Sequence, residues 1–391
     1  MKKSHYFLIL SLAFTSLFSN QMNGCKATIE DISTKNVFCD WQGKVPSASV
    51  DSGFFADLSF LYLKPEIEGL SLGQNLDSDT SQLPLQVSSE IKVEELNFKW
   101  KPGVKAGFGY TIPQREQWEV SAYWTYMHSS ADRSLSKPEA NFGGDNIVPS
   151  SLPYILGPGA TRASGDWRLN FNLIDLAIAR NAFFGRFLSL KPMVGIRFAW
   201  IYQNYLAKYR GGFTSTDTTS GISSTIFQDT RFKGKNNFWA GGVRLGSDFD
   251  WYLSKNISIV GNIFFSLLYG KFDIKENYSG AVLVDLGSGV QTLNQLVEVT
   301  FPHNTLRSAI ESEIGLRWHR FFNGNNSRLL IGLFYQFNVW FDQNELLNHF
   351  VTPNSGPIDA TNINSSNLIA NINPKGDLMM QGLRVQCRYD F

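Results

Sequence analysis

"RVQCRYDF" occupies Arg384 to Phe391. Val385, Cys387, Tyr389 and Phe391 alternate with Arg384, Gln386, Arg388 and Asp390, the period of two that marks a strand with one apolar and one wet face. Chain ends are ordinarily polar and frayed. Here the apolar face runs through to Phe391, so something must cover it.

The same alternation recurs upstream. Ala56, Leu58, Phe60 and Tyr62 oppose Asp57 and Ser59; Trp100, Val104, Ala106, Phe108 and Tyr110 oppose Lys101 and Lys105. Trp118, Val120, Ala122, Trp124 and Tyr126 oppose Glu119, Ser121 and Thr125, and Val194, Ile196, Phe198, Trp200 and Tyr202 oppose Lys191 and Arg197. Further strands of this kind centre on Leu245, Phe265, Ile314 and Leu333, which with the terminal segment and "DWRLNFNLIDLAIAR" make ten. In that last stretch Trp167, Leu169, Phe171 and Leu173 share a parity that slips at Ile174, which predicts a bulge. Pro192 lacks a ladder donor and predicts an irregularity near its strand end.

The connections alternate without exception. Long segments (64–97, 129–165, 204–235, 271–304, 341–376) are separated by short ones (111–117, 181–186, 253–256, 319–327), which leaves both chain ends on the short side. A soluble sandwich has no reason to sort its loops this way, whereas outer-membrane barrels have short periplasmic turns and long outer loops. Trp100 and Tyr110 lie ten residues apart and Trp239 and Trp251 twelve. At ~3.3 Å per residue and ~40° tilt those spacings rise roughly 25 to 30 Å, the height of an apolar band. The expected fold is therefore all-β: a transmembrane antiparallel β-barrel of even strand number, with ten strands visible and up to sixteen if "IKVEELNF" and "GAVLVDL" add hairpins rather than extend strands. Lipid then covers the apolar face of the last strand, and pairing of that strand with the first leaves no open edge.

Composition agrees. The chain has 391 residues, of which 31 are Phe, 14 Tyr, 10 Trp and 33 Gly, while only 18% are charged, less than the quarter usual for soluble domains. Lys2 and Lys3 followed by an apolar run from Tyr6 to Phe18 form a signal-peptide pattern over residues 1–24, too short to span a membrane. "MNGC" before Lys26 fits a lipoprotein cleavage site poorly, so lipidation of Cys25 is the minor reading. Residues 25–52 are expected to form a short periplasmic segment and 53–391 the barrel. Removing Lys2 and Lys3 takes the formal charge from +1 to −1, which argues against a nucleic-acid partner. Cys25, Cys39 and Cys387 are too few for a disulfide framework.

On the inward parity stand Lys105, Glu119, Arg197, Arg244, Asp248, Asp250, Arg307, Glu311, Glu313, Arg317 and Arg384. These are the candidate lumen-lining residues, and water or opposite charges must satisfy them. Neither sign dominates, which predicts weak ion selectivity for any channel through them. A salt-bridged, plugged interior is the competing arrangement, because ten strands enclose a narrow lumen while water-filled porins use about sixteen. "GFGY" lacks the third glycine and following helix of a dinucleotide loop, and "GGVRLGSD" lacks the lysine of a phosphate loop. His128, His303, His319 and His349 have no metal-ligand spacing. No enzyme, metal or cofactor is expected.

"FADLSFLYLKPEIEGL", "WKPGVKAGFGYTIPQREQWEVSAYWTYMH", "SLKPMVGIRFAWIYQNY", "NNFWAGGVRLGSDFDWYLS", "GLRW" and "GDLMMQGLRVQCRYDF" together resemble the Legionella-type major outer membrane proteins, a family found also in chlamydia-like bacteria. The likeness runs from about Phe54 to Phe391. It implies a β-barrel porin in a Gram-negative outer membrane, admitting small hydrophilic solutes by diffusion. The other expectation is a structural or surface-adhesive barrel with a plugged lumen. Tyr389 and the terminal Phe391 resemble an outer-membrane assembly signal, although the glycine usual closer to that end is absent, Gly382 being too far upstream. Expected partners are outer-membrane lipid, the assembly machinery, small solutes and, for a homo-oligomer, further copies of the chain.

Overall fold

The computed structural model describes residues 53–78, 89–112, 118–137, 146–149, 160–184, 187–216, 223–254, 256–285, 290–322, 327–346, 348–351, 369–372 and 375–391, all within one compact unit, Val45–Phe391. The signal segment 1–24, the segment 25–52, Cys25 and Cys39 lie outside these residues.

Ten antiparallel strands form the wall: β1 (Gly53–Ile67), β2 (Lys101–Thr111), β3 (Trp118–Ser136), β4 (Arg162–Arg180), β5 (Leu188–Thr216), β6 (Ser223–Tyr252), β7 (Ile257–Asp285), β8 (Val290–Phe322), β9 (Ser327–Asn344) and β10 (Gly376–Asp390). Each pairs with its sequence neighbour, and β10 returns to β1 in a register running from Phe55↔Asp390 to Ile67↔Leu378. The barrel closes at ten strands. The extra β-structure does not enlarge it: "GAVLVDL" continues β7, while "IKVEELNF" lies largely in a separate three-stranded sheet of Ser71–Ser78, Ser89–Glu95 and Asn146–Pro149. The terminal Phe391 donates its backbone N–H to the Phe54 carbonyl at 2.8 Å, stitching the two ends together.

Leu58, Phe60, Phe108, Trp124, Val194, Ile196, Leu245, Phe265, Ile314, Leu333 and Val385 are exposed on the outer surface. Gly382 of β10 lets the upper rim of this surface pack: a Cβ there would lie 2.7 Å from the Trp100 ring, which stacks on Tyr62 at 5.7 Å. Pro192 interrupts one ladder. On the β4 side β5 pairs through Leu190↔Ala182 and resumes at Met193↔Ala179, so the missing donor falls in the gap.

The bulge expected at Ile174 does not exist. The β4 register with β3 and β5 is continuous, and Trp167, Leu169, Phe171 and Leu173 are buried inside while Ile174, Leu176 and Ile178 are exposed outside. The strand does not slip. Its apolar side changes, because the wall leaves the lipid there. The long-loop half of β5 to β8 behaves likewise. These strands run for 29, 30, 29 and 33 residues; at ~3.3 Å per residue and ~40° tilt, β8 rises roughly 80 Å, about three times the ~25 Å apolar band. Beyond the band Phe232, Phe238, Phe272, Ile274 and Tyr278 turn inward and are buried, and Arg231, Lys233, Lys235, Lys271 and Lys275 turn outward.

The outer wall is directly testable. Leu245 is 51% exposed midway between the outward Trp239 and Trp251, and Leu245→Arg places a charge there at a cost of about 2 to 4 kcal/mol near the bilayer midplane. Heat-modifiable gel mobility should show failed assembly for Leu245→Arg and normal assembly for Leu245→Met; normal assembly of the arginine variant would refute the outward assignment.

Candidate functional site: the barrel interior

The interior has two layers. At the short-turn end, inward positions of nearly every strand carry charge, and they find one another across the lumen. Glu311 of β8 is the hub: Arg197 of β5 donates to its two oxygens at 2.7 and 3.0 Å, and Arg244 of β6 donates at 2.7 Å. Arg197 also grips Asp175 of β4 in a bidentate pair at 2.6 and 2.8 Å. A bidentate arginine is the strong form of this contact, and paired burial is what makes charge tolerable here.

A second set lies nearer the turns. Glu119 of β3 accepts from Lys191 at 2.7 Å and from Arg388 of β10 at 3.1 Å. Arg388 also donates to Asp390 at 2.7 Å and stacks over the Phe55 ring at 3.6 Å. Arg317 holds Asp250 at 2.8 Å, and Arg384 approaches Glu313 at 3.4 Å, which in turn accepts from Asn262 at 2.9 Å. Asp57 of β1 is bonded by the Gln386 amide. Between these sets lies a cavity of about 120 Å³ bordered by Lys105, Glu119, Arg244, Asp248, Asp250, Arg317 and Arg384, large enough for several waters. Lys105 lies 5.2 Å over the Tyr123 ring on its wall.

Above the charges the interior becomes apolar. Leu61, Leu63, Met127, Phe171, Leu173, Ala199, Ile201, Leu268, Trp340, Leu378 and Met380 belong to one buried cluster. Phe171 of β4 meets Trp340 of β9 edge to face with ring centroids 5.5 Å apart. In a ring of ten strands β4 and β9 stand diametrically opposite, so this contact crosses the lumen. Arg197 lies 5.7 Å from the same Trp340 ring and joins the two layers. Higher still, the end of β9 and the residues after it fold into the mouth: Gln343, Asn344, Glu345 and Leu346 are buried, and Gln203 and Asn236 donate to the Gln343 carbonyl at 3.0 and 2.7 Å.

Ten of the eleven residues singled out from the sequence meet in the lower layer. Arg307 does not: it stands opposite Leu268 of the apolar cluster, bound to Glu345 and stacked 5.1 Å from Phe272. Asp57, Asp175, Lys191, Arg328, Arg388 and Asp390 also belong to the network and were not singled out. Asp175 was hidden by the apparent phase slip, although its apolar neighbours Ile174 and Leu176 were the signal that it points inward. Tyr389 and Phe391 face outward, edge to face at 4.9 Å. Among the described residues no group of three His, Cys, Asp or Glu side chains is placed to hold a metal ion.

The family described as Legionella pneumophila major outer membrane protein precursor matches residues 45–391, nearly the whole barrel-forming unit. The chain belongs to this family. It is accordingly an outer-membrane protein of the Gram-negative type. A search of curated proteins gives no match. Among solved structures, the Legionella-type barrel is similar to the outer membrane protease OmpT from Escherichia coli, at 10% identity over 89% of this chain and 97% of that one, with a TM-score of 0.38. It is also similar to a deletion mutant of the TodX monoaromatic hydrocarbon channel (8% identity, 86% and 90% covered, TM-score 0.23) and to a Pseudomonas aeruginosa FadL homologue (8%, 87% and 90%, 0.22).

Two carboxylates on one strand test the hub. Glu311→Gln leaves both Arg197 and Arg244 short of countercharge and should cost about 3 to 5 kcal/mol, the range for breaking a buried pair. Glu313→Gln, facing Arg384 at 3.4 Å, should cost less than half as much. Denaturant unfolding in micelles followed by tryptophan fluorescence measures both, and equal losses would contradict a hub at Glu311.

Proposed function

We propose that this protein acts as a sealed outer-membrane barrel: a structural, surface-displaying protein whose long strands carry a β-structure beyond the lipid, with no continuous aqueous path through the wall. The observation that carries the reading is the Phe171–Trp340 contact between opposite strands. Water and ions entering from the periplasmic end would reach the 120 Å³ cavity and then meet a layer of buried Leu, Ile, Phe, Met and Trp side chains. An apolar constriction of this kind resists wetting, and an ion would lose its hydration there without compensation.

The charges below support the same reading. A diffusion channel needs side chains free to exchange with passing ions, whereas Arg197, Arg244, Glu311, Asp175, Glu119 and Arg388 are engaged with one another. The porin expected from the family resemblance would need this layer and the Gln343–Leu346 segment to move aside. The reading assigns the cavity no chemical reaction.

Single-channel recording of the refolded protein in planar bilayers separates the two. Insertion without conductance steps is expected. Reproducible steps with weak selectivity, shifted toward cations by Arg244→Glu/Arg317→Glu, would overturn the sealed barrel and restore the diffusion channel.

A further inference from the structure

Just past the apolar band, one quadrant of the outer wall is strongly basic. Trp200, Tyr202, Trp239 and Tyr269 mark the upper girdle on β5, β6 and β7. Beyond them the outward positions carry Lys208 on β5, Arg231, Lys233 and Lys235 on β6, and Lys271 and Lys275 on β7. Among the described residues the acids on the same stretch of this face are Asp273, Glu298 and Asp229, and Asp229 pairs with Arg210 at 3.4 Å.

The register makes the clustering costly. Lys235 stands directly opposite Lys275, and Lys208 directly opposite Arg231. Like charges facing across a ladder destabilise it, and among the described residues none of the six cations forms a salt bridge. On the adjoining wall of β3 and β4 the equivalent level is self-neutralised: Lys99 pairs with Asp132 at 3.1 Å and Arg168 with Asp166 at 2.9 Å. The basic quadrant therefore lacks the anions that its counterpart has built in.

We propose that this quadrant binds the phosphorylated headgroups of outer-leaflet lipid. Lys271 lies two residues beyond Tyr269, Lys235 four beyond Trp239 and Lys275 six beyond Tyr269, which places their backbones roughly 5, 10 and 15 Å above the girdle at ~3.3 Å per residue and ~40° tilt. Lysine stems lie along the wall and carry the ammonium groups down toward the headgroup level. The acyl chains of the same lipid would rest on Leu245, Phe265 and Leu267 directly below. Phosphate suits the site because an anion lying between Lys235 and Lys275 turns a repulsion into two attractions, and each basic side chain at an anionic lipid surface strengthens binding by roughly a factor of five. The inference is independent of whether the lumen is sealed.

The test uses the folded full-length chain in phosphatidylcholine vesicles doped with bisphosphorylated lipid A or with its dephosphorylated form. After extraction in mild detergent, the lipid retained per barrel is measured by mass spectrometry. The phosphorylated lipid should be retained in preference to the other, and Lys233→Gln/Lys235→Gln/Lys271→Gln/Lys275→Gln should lower that retention at least about tenfold. Lys92→Gln/Lys99→Gln/Arg162→Gln/Arg168→Gln, which removes four cations elsewhere, should leave retention within about twofold; heat-modifiable mobility confirms that both variants are folded. Equal retention of the two lipids, or an equal loss in both variants, would overturn the proposal. Displacement by inorganic phosphate at constant ionic strength would also overturn it, by making a soluble anion the occupant.

Discussion

Each strand of this barrel must turn its apolar side toward the driest medium available, and that medium changes along the strand. Within the bilayer it is lipid, outside the wall. Beyond the bilayer water surrounds the wall, and the driest place is the barrel's own interior. The inversion is visible at one level in β4 to β7: outward Ile174, Phe198, Trp239 and Tyr269 give way to inward Phe171, Ile201, Phe238 and Phe272. Both the polar lower lumen and the apolar upper core follow from it.

The lower lumen holds charge because its wall positions cannot be apolar without making the strand apolar on both sides. A ten-stranded ring is narrow, so those charges reach partners up to three strands away, as Arg197 reaches Glu311 and Glu119 reaches Arg388. Long arginine side chains suit this task, since their planar forks bind carboxylates in pairs. The network and the Phe171–Trp340 layer thus have a common origin in strand number: the same narrowness that lets charges neutralise one another lets opposite strands touch. Positive charge shed to the outer face of the upper wall is the remaining consequence, and it is concentrated on β5 to β7.

Much of this was legible in the sequence. Period-two alternation located all ten wall strands, and the alternation of long and short connections gave the topology and the closing pair, β1 with β10. Inward parity found ten of the residues that meet in the lower layer. What escaped was everything set by height rather than by parity. A parity rule cannot say where lipid ends, so the change of apolar side in β4 looked like a bulge and hid Asp175. Arg307 was placed with the other inward charges although it lies among the apolar cluster beside Leu268 and Phe272, and its partner Glu345 comes from a long connection with no repeating pattern. The reach of β5 to β8 was also hidden, because residues in water-exposed strand extensions are as polar as residues in loops.

The central claim is that an apolar layer closes the lumen, and the accessibility of one buried position tests it. Ala199 of β5 lies in that layer with 0% exposure and is small enough to become cysteine with little repacking. With Cys25, Cys39 and Cys387 replaced by serine, the Ala199→Cys thiol in the folded protein is measured against a small, charged, water-soluble thiol reagent, alongside Ser136→Cys at the exposed end of β3. The sealed barrel predicts that position 136 reacts within the assay while position 199 stays protected until the protein is unfolded. Comparable reaction rates at the two positions in the folded barrel would mean that water and ions reach the layer, and would contradict the account.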